Sequence, residues 1–227
     1  MFLLCLDVVI LTLFFADPVF AHDCWLQPDK FYLGLEAYLF ARLFVGHKMA
    51  PEKELPLEKN MTPRLDLIRK DGKSDLLDNL ADGCQPAMAF DPGAEGSGLI
   101  VMDRDFTMIT LENEKFGTYL SHEKHEQLLP AMKANPRGEQ IERYARCMKA
   151  LVQVGDRIDE EMANKTTDQK LEIIMHTHPR LCTGSSPLEA SVFFDGKPLA
   201  DKSVTACQLR PDGKVFEQTA CTDANGN

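Results

Sequence analysis

Beyond its first 21 residues the sequence contains no apolar run approaching the roughly 20 residues that a membrane helix needs. It has no C-x-x-C pair, which removes the usual zinc knuckle and thioredoxin-type arrangements. It has no G-x-S-x-G, no phosphate-binding loop and no Gly-rich dinucleotide fingerprint, so the common hydrolase and nucleotide-enzyme signatures are missing. Basic residues are also in short supply, with 25 Lys and Arg against 35 Asp and Glu and a net charge of −10. Such a chain has no electrostatic attraction to nucleic acid or anionic lipid, and its field favours cations. There is one tryptophan, Trp25.

What is present begins with MFLLCLDVVILTLFFADPVFA, an apolar block closed by Asp17-Pro18 and then by small residues at the positions a signal peptidase reads. We read residues 1–21 as a secretory signal and the protein as periplasmic. No Lys or Arg precedes the block, an irregularity that an upstream start with a basic n-region would explain. Cleavage after Ala21 would leave His22 as the first residue of the mature chain. It would remove Asp7 and Asp17 and no basic residue, taking the formal charge from −10 to −8. Six cysteines would remain: Cys24, Cys84, Cys147, Cys182, Cys207 and Cys221. Export permits disulfides, but the spacing does not select a pairing.

Along the chain, EAYLFARLFVGH (36–47) alternates apolar and larger side chains with a period of two, the mark of a strand, and leaves His47 at the rim of the Leu39-Leu43-Val45 face. RLDLIR (64–69) predicts a second strand, and GLIVMDRDFTMIT (98–110) one or two more. From Leu111 the spacing turns helical, and EQIERYARCMKAL reads as a second helix with Ile141, Tyr144, Ala145 and Met148 on one side, so the helical segment covers about 111–150. Pro130 kinks or ends the first helix. Residues 156–170 are a polar loop. LEASVFF is a strand, and SVTACQL and VFEQTAC flank RPDGK as a hairpin. If Leu209 faces Val215, Cys207 lies opposite Glu217 and Cys221 opposite Ser203. The expected fold is mainly β: a β-sandwich with a helical insertion over 22–155, then an Ig-like module over 171–227 that looks truncated.

The order of AHDCWL (21–26), VGH (45–47), KFGTYLSHE (115–123), RYARCMKALVQVG (143–155), LEI (171–173), GKPLADKSVTA (196–206) and TDANG (222–226) resembles an uncharacterised bacterial periplasmic domain family. That family is described as the periplasmic component, or substrate-specific region, of cobalt-nickel uptake. The resemblance implies two β-sandwich domains, the second Ig-like or similar to carboxypeptidase-regulatory modules, and a metal-related role. It picks out His22, Trp25, His47, Tyr119, Tyr144, Arg146 and Lys149, and gives no support to the histidines of HTHP (176–179).

An N-terminal histidine offers an α-amine and an imidazole Nδ1 to one ion, a set that suits Ni(II), Co(II) or Cu(II). His47 is the expected second ligand and Asp23 an oxygen donor. Weaker metal candidates are His122 with His125 or Glu126, and His176 with His178. Against each stands a structural reading: a fraying terminus, a solvated helix face, or surface histidines before a proline. Tyr144, Arg146 and Lys149 could hold an anion, although a structural ion-pair network is the commoner outcome. The expected function is therefore capture of a divalent transition ion for a membrane transporter, without enzymatic chemistry. The alternative is a structural or protein-binding module whose histidines are incidental.

Overall fold

A computed structural model describes residues 23–122, 125–135, 137–183 and 187–227. The chain is mainly β. The first sheet joins β1 (Asp23–Pro28), β3 (Leu39–His47) and β4 (Ala50–Leu55), with β7 (Met88–Phe90) also paired to β3. The second runs in the order β2 (Tyr32–Leu33), β9 (Glu139–Val154), β8 (Gly96–Glu112), β5 (Arg64–Arg69), β6 (Gly72–Asp75). The strands β10 (Leu171–Met175), β11 (Ala190–Phe194) and β12 (Lys197–Pro198) form a third sheet, and β13 (Ser203–Leu209) pairs with β14 (Val215–Cys221) alone.

Alternation explains how the first two sheets pack. Leu39, Ala41 and Leu43 of β3 and Leu26 of β1 share one cluster with Leu65 and Leu67 of β5, Ile100 and Met102 of β8, and Met148, Val152 and Val154 of β9. Each strand contributes every second residue, as the pleat requires, and the two inner faces together make a sandwich core. The opposite face of β5 and β8 is also covered: Ile68, Leu99 and Val101 bury against Met162 from the 156–170 loop. Coverage on both faces is why GLIVM is apolar without alternation.

The structure decides one open expectation and corrects two others. The segment 98–110 belongs to one long strand, β8. The segment EQIERYARCMKAL is the body of β9, not a helix. Its Glu, Arg, Lys and Ala residues favour helix locally, but Met148, Ala150 and Val152 alternate into the core, and burial outweighs propensity. The helical segment is therefore confined to α1 (Asn113–His122), a 3₁₀ turn at Glu126–Leu128 and α2 (Leu129–Lys133), with Pro130 in the first turn of α2, where its missing N–H costs nothing. Residues Thr110–Gln140 form a compact unit of their own, held by bonds such as Asn113 N–H to Gly138 O at 2.9 Å. Residues 23–109 and 141–227 form the other.

The strands at 39–47 and 64–69 match expectation, as does the hairpin, whose register pairs Leu209 with Val215, Cys207 with Glu217 and Cys221 with Ser203. Cys24, Cys84, Cys147, Cys182, Cys207 and Cys221 are all free thiols. No helix among the described residues is long and apolar enough to cross a membrane.

Candidate functional site

The strand register collects the leading candidates at one sheet edge. β1 and β3 run antiparallel with Asp23 opposite Gly46 and Cys24 opposite Val45, so the start of β1 and the end of β3 coincide. His47 is half-buried at the end of β3, just past a register shift against β4 between Val45 and Gly46. Beyond it Lys48 and Met49 both take positive φ, 51° and 59°, in a tight hairpin that returns as β4 with Ala50 opposite His47. The Asp23 carboxylate fastens this turn by accepting the Lys48 N–H at 3.2 Å. Gly46 allows the close approach: a Cβ there would collide with the carbonyl of Ala50.

The hairpin adds a second layer of charge to this edge. Lys48 Nζ pairs with Glu217 at 2.9 Å, and Cys207 Sγ lies 3.9 Å from Glu217. Burial, then the Glu217 and Asp23 carboxylates, push the Cys207 thiol above its usual value, so it is a protonated thiol at neutral pH. His22 lies outside the described residues, as does the 1–21 segment. Among the described residues no three His, Cys, Asp or Glu side chains stand together as a ready-made metal cluster.

The weaker metal candidates separate. α1 stops at His122, whose side chain lies outside the described residues, so no single helix presents His122 with His125 or Glu126. His125 instead starts the 3₁₀ turn, its N–H bonded to Leu120 O at 2.7 Å. β10 ends at Met175, so His176 and His178 lie beyond the strand, yet they line one cavity of about 530 Å³ with Lys70, Asp159, Glu160 and Glu161. His178 is buried, contrary to the expectation of surface histidines before the proline.

Each of these histidines is held by a serine, a pairing with no sequence signal because Ser97 and Ser191 are remote in the chain. His178 Nδ1 accepts the Arg180 N–H at 3.3 Å, which places its proton on Nε2, facing Ser97 Oγ at 3.2 Å. Ser97 Oγ also accepts the Asp159 N–H at 3.1 Å, while Asp159 Oδ2 takes the Ser97 N–H at 3.0 Å. A nucleophilic serine needs the reverse: a bare Nε2 toward the hydroxyl and an Nδ1–H toward the carboxylate. This network locks the 156–160 loop to β8. Burial, reinforced by the Arg180 charge, lowers the His178 pKa and keeps the ring neutral. His176 Nε2 lies 2.6 Å from Ser191 Oγ, whose proton goes to Asn227 Oδ1 at 2.6 Å, so the imidazole donates here too.

The sequence of residues 19–227 matches the family described as a domain of unknown function, DUF4198. The chain belongs to that family. No curated protein and no solved structure matches it.

The remaining residues marked by family resemblance take structural positions in this DUF4198 chain. Trp25 tilts against Phe44, with ring centroids 5.7 Å apart, and donates Nε1–H to Gln27 at 2.9 Å. Tyr119 packs against Phe116 at 5.8 Å on α1. Tyr144, Arg146 and Lys149 sit on β9, and Arg146 stacks over the Tyr144 ring at 4.5 Å. Lys149 Nζ bonds Glu172 at 2.8 Å, with both side chains largely buried and Thr167 N–H and Oγ1 each 2.7 Å from the same carboxylate oxygen. Lys149 is thereby part of a closed ion-pair network.

Proposed function

We propose that this protein is a periplasmic binding protein that captures a divalent transition-metal ion, nickel, cobalt or copper, and passes it to a membrane uptake system. The observation that carries the reading is the pairing of Asp23 with Gly46. His22 is covalently attached to Asp23, about 3.8 Å from it between Cα atoms. The α-amine and imidazole of a mature terminus at His22 would then start within reach of the half-buried His47. Two imidazoles and an amine form a three-nitrogen set of the kind that Ni(II) and Cu(II) prefer, and Co(II) accepts. Asp23 is an outer partner in this arrangement, because its carboxylate already holds the β3–β4 turn. The acidic surface favours cation arrival, and ligand exchange is the whole mechanism.

The test is calorimetric titration of Ni(II), Co(II) and Cu(II) into the chain beginning at His22, beside a chain carrying one extra residue ahead of it and a His47→Ala variant. Tight binding by the first alone supports the site. Equal binding by all three removes both the amine and His47 from it. A second reading, a protein-binding module with incidental histidines, draws on the β13–β14 hairpin, whose outer edges pair with no other strand among the described residues. It gains ground if no ion binds.

A further inference from the structure

β10 carries apolar residues on both faces, with Ile174 buried on the inner one. Its apolar residues Leu171 and Ile173 are 45% and 46% exposed, while Glu172 between them is 5% exposed and sealed against Lys149 and Thr167. The inner face thus holds Glu172 with Ile174, while Leu171 and Ile173 form an apolar outer face that the core does not cover.

That face opens on a cleft of about 720 Å³, within the size range of small-molecule sites. Leu26, Leu99, Leu151, Ile173, Met175 and Val192 supply apolar walls from five different strands. The charges are as informative as the walls. In a chain with 35 acidic residues, no Asp or Glu lines this cleft, and two lysines do. Lys149 is neutralised by Glu172. Lys202 is exposed, is fixed through its backbone N–H to Thr222 Oγ1 at 2.9 Å, and has no ion-pair partner among the described residues.

We propose that this cleft binds a small amphipathic carboxylate, with an aliphatic body along the Leu171-Ile173-Met175 row and its carboxylate on the Lys202 ammonium. The apolar body gains from leaving water in proportion to the area covered, and the single free cation selects an anionic head over a neutral or cationic one. The cleft reaches Cys24 and Trp25 of β1, next to the edge that carries the proposed metal site, but its binding does not depend on metal capture.

The probes are decanoate, decanol and decylamine, titrated calorimetrically into the full chain without added metal, and the variants are Lys202→Met and Ile173→Asp. Both residues are exposed, and thermal unfolding of each variant checks that the fold persists. Decanoate is expected to bind one to one, about tenfold or more tighter than decanol, with decylamine weakest. Lys202→Met should abolish the preference for decanoate over decanol, and Ile173→Asp should weaken both while leaving the unfolding transition in place. The proposal is overturned if decanoate fails to bind at about 1 mM, if Lys202→Met leaves its preference over decanol intact, or if a folded Ile173→Asp variant binds as well as the parent.

Discussion

Replacing Lys149 with Met tests whether β9 and β10 are joined by the Lys149–Glu172 pair. The Glu172 side chain is 5% exposed and that of Lys149 14%, so the 2.8 Å contact lies largely out of water. Removing one member of a buried pair typically costs about 3–5 kcal/mol, because the survivor keeps its charge without compensation. Here the penalty is softened, since Thr167 N–H and Oγ1 still reach the carboxylate. We expect a loss of about 2–4 kcal/mol, or roughly 5–15 °C in Tm for a chain of this size. Glu172→Gln should cost less, about 1–2 kcal/mol, because the amide oxygen can retain the Thr167 bonds and the stranded ammonium can turn toward solvent. The double variant should lose about 1–3 kcal/mol less than the two single losses combined. Urea denaturation followed by circular dichroism measures all three. If Lys149→Met matches the parent within about 0.5 kcal/mol, or the single losses simply add, the pair does not hold these strands together.

Gly46→Ala should destabilise the chain by about 1–3 kcal/mol, because the new methyl meets the Ala50 carbonyl, a backbone atom that cannot swing aside; an unchanged urea midpoint would show that the turn relaxes freely. Burial lowers the folded-state pKa of His178 below its unfolded value, so the unfolded chain binds the proton more readily. Its contribution to stability is therefore complete above about pH 6.5 and is lost as the pH falls toward the folded pKa, and a His178→Gln variant should show a flatter melting temperature between neutral and mildly acidic pH. Trp25, the single tryptophan, lies two residues from Asp23, so Cu(II) should quench its emission in the chain that begins at His22 and fail to do so in His47→Ala. Equal quenching in both would place the ion elsewhere.

Legibility in the sequence followed the range of the interactions involved. The strands at 39–47 and 64–69 and the 203–221 hairpin were readable because alternation and a turn fix them within a few residues. β9 was not, since its charged half looks helical until β8 is placed beside it, and that partner is far away in the chain. The place of His47 at a strand end was visible, whereas the pairing of its neighbour Gly46 with Asp23 depends on strand pairing. Both serine–histidine pairs, the Lys149–Glu172 pair and the Lys202 cleft join distant segments, and no local pattern announces them. Nothing local in the sequence sets Leu171 and Ile173 apart from core residues; their exposure in the fold does.

The two residues of β2 have a kinetic meaning. β1 and β3 belong to one sheet, but between them the chain crosses to the other, where Tyr32 and Leu33 lie parallel to Gln153 and Val154. The stitch is made by Gln153 N–H to Phe31 O and Gly155 N–H to Leu33 O, each 2.9 Å. Parallel pairing between such distant segments carries a large loop-closure cost for very few bonds, so it belongs to the last steps of folding. For the same reason the amides of Gln153 and Gly155 should exchange with solvent deuterium sooner than those in the middle of β8. The sandwich is thus sewn shut at its weakest seam, beside the Arg180 guanidinium that rests on the Tyr32 ring at 5.1 Å.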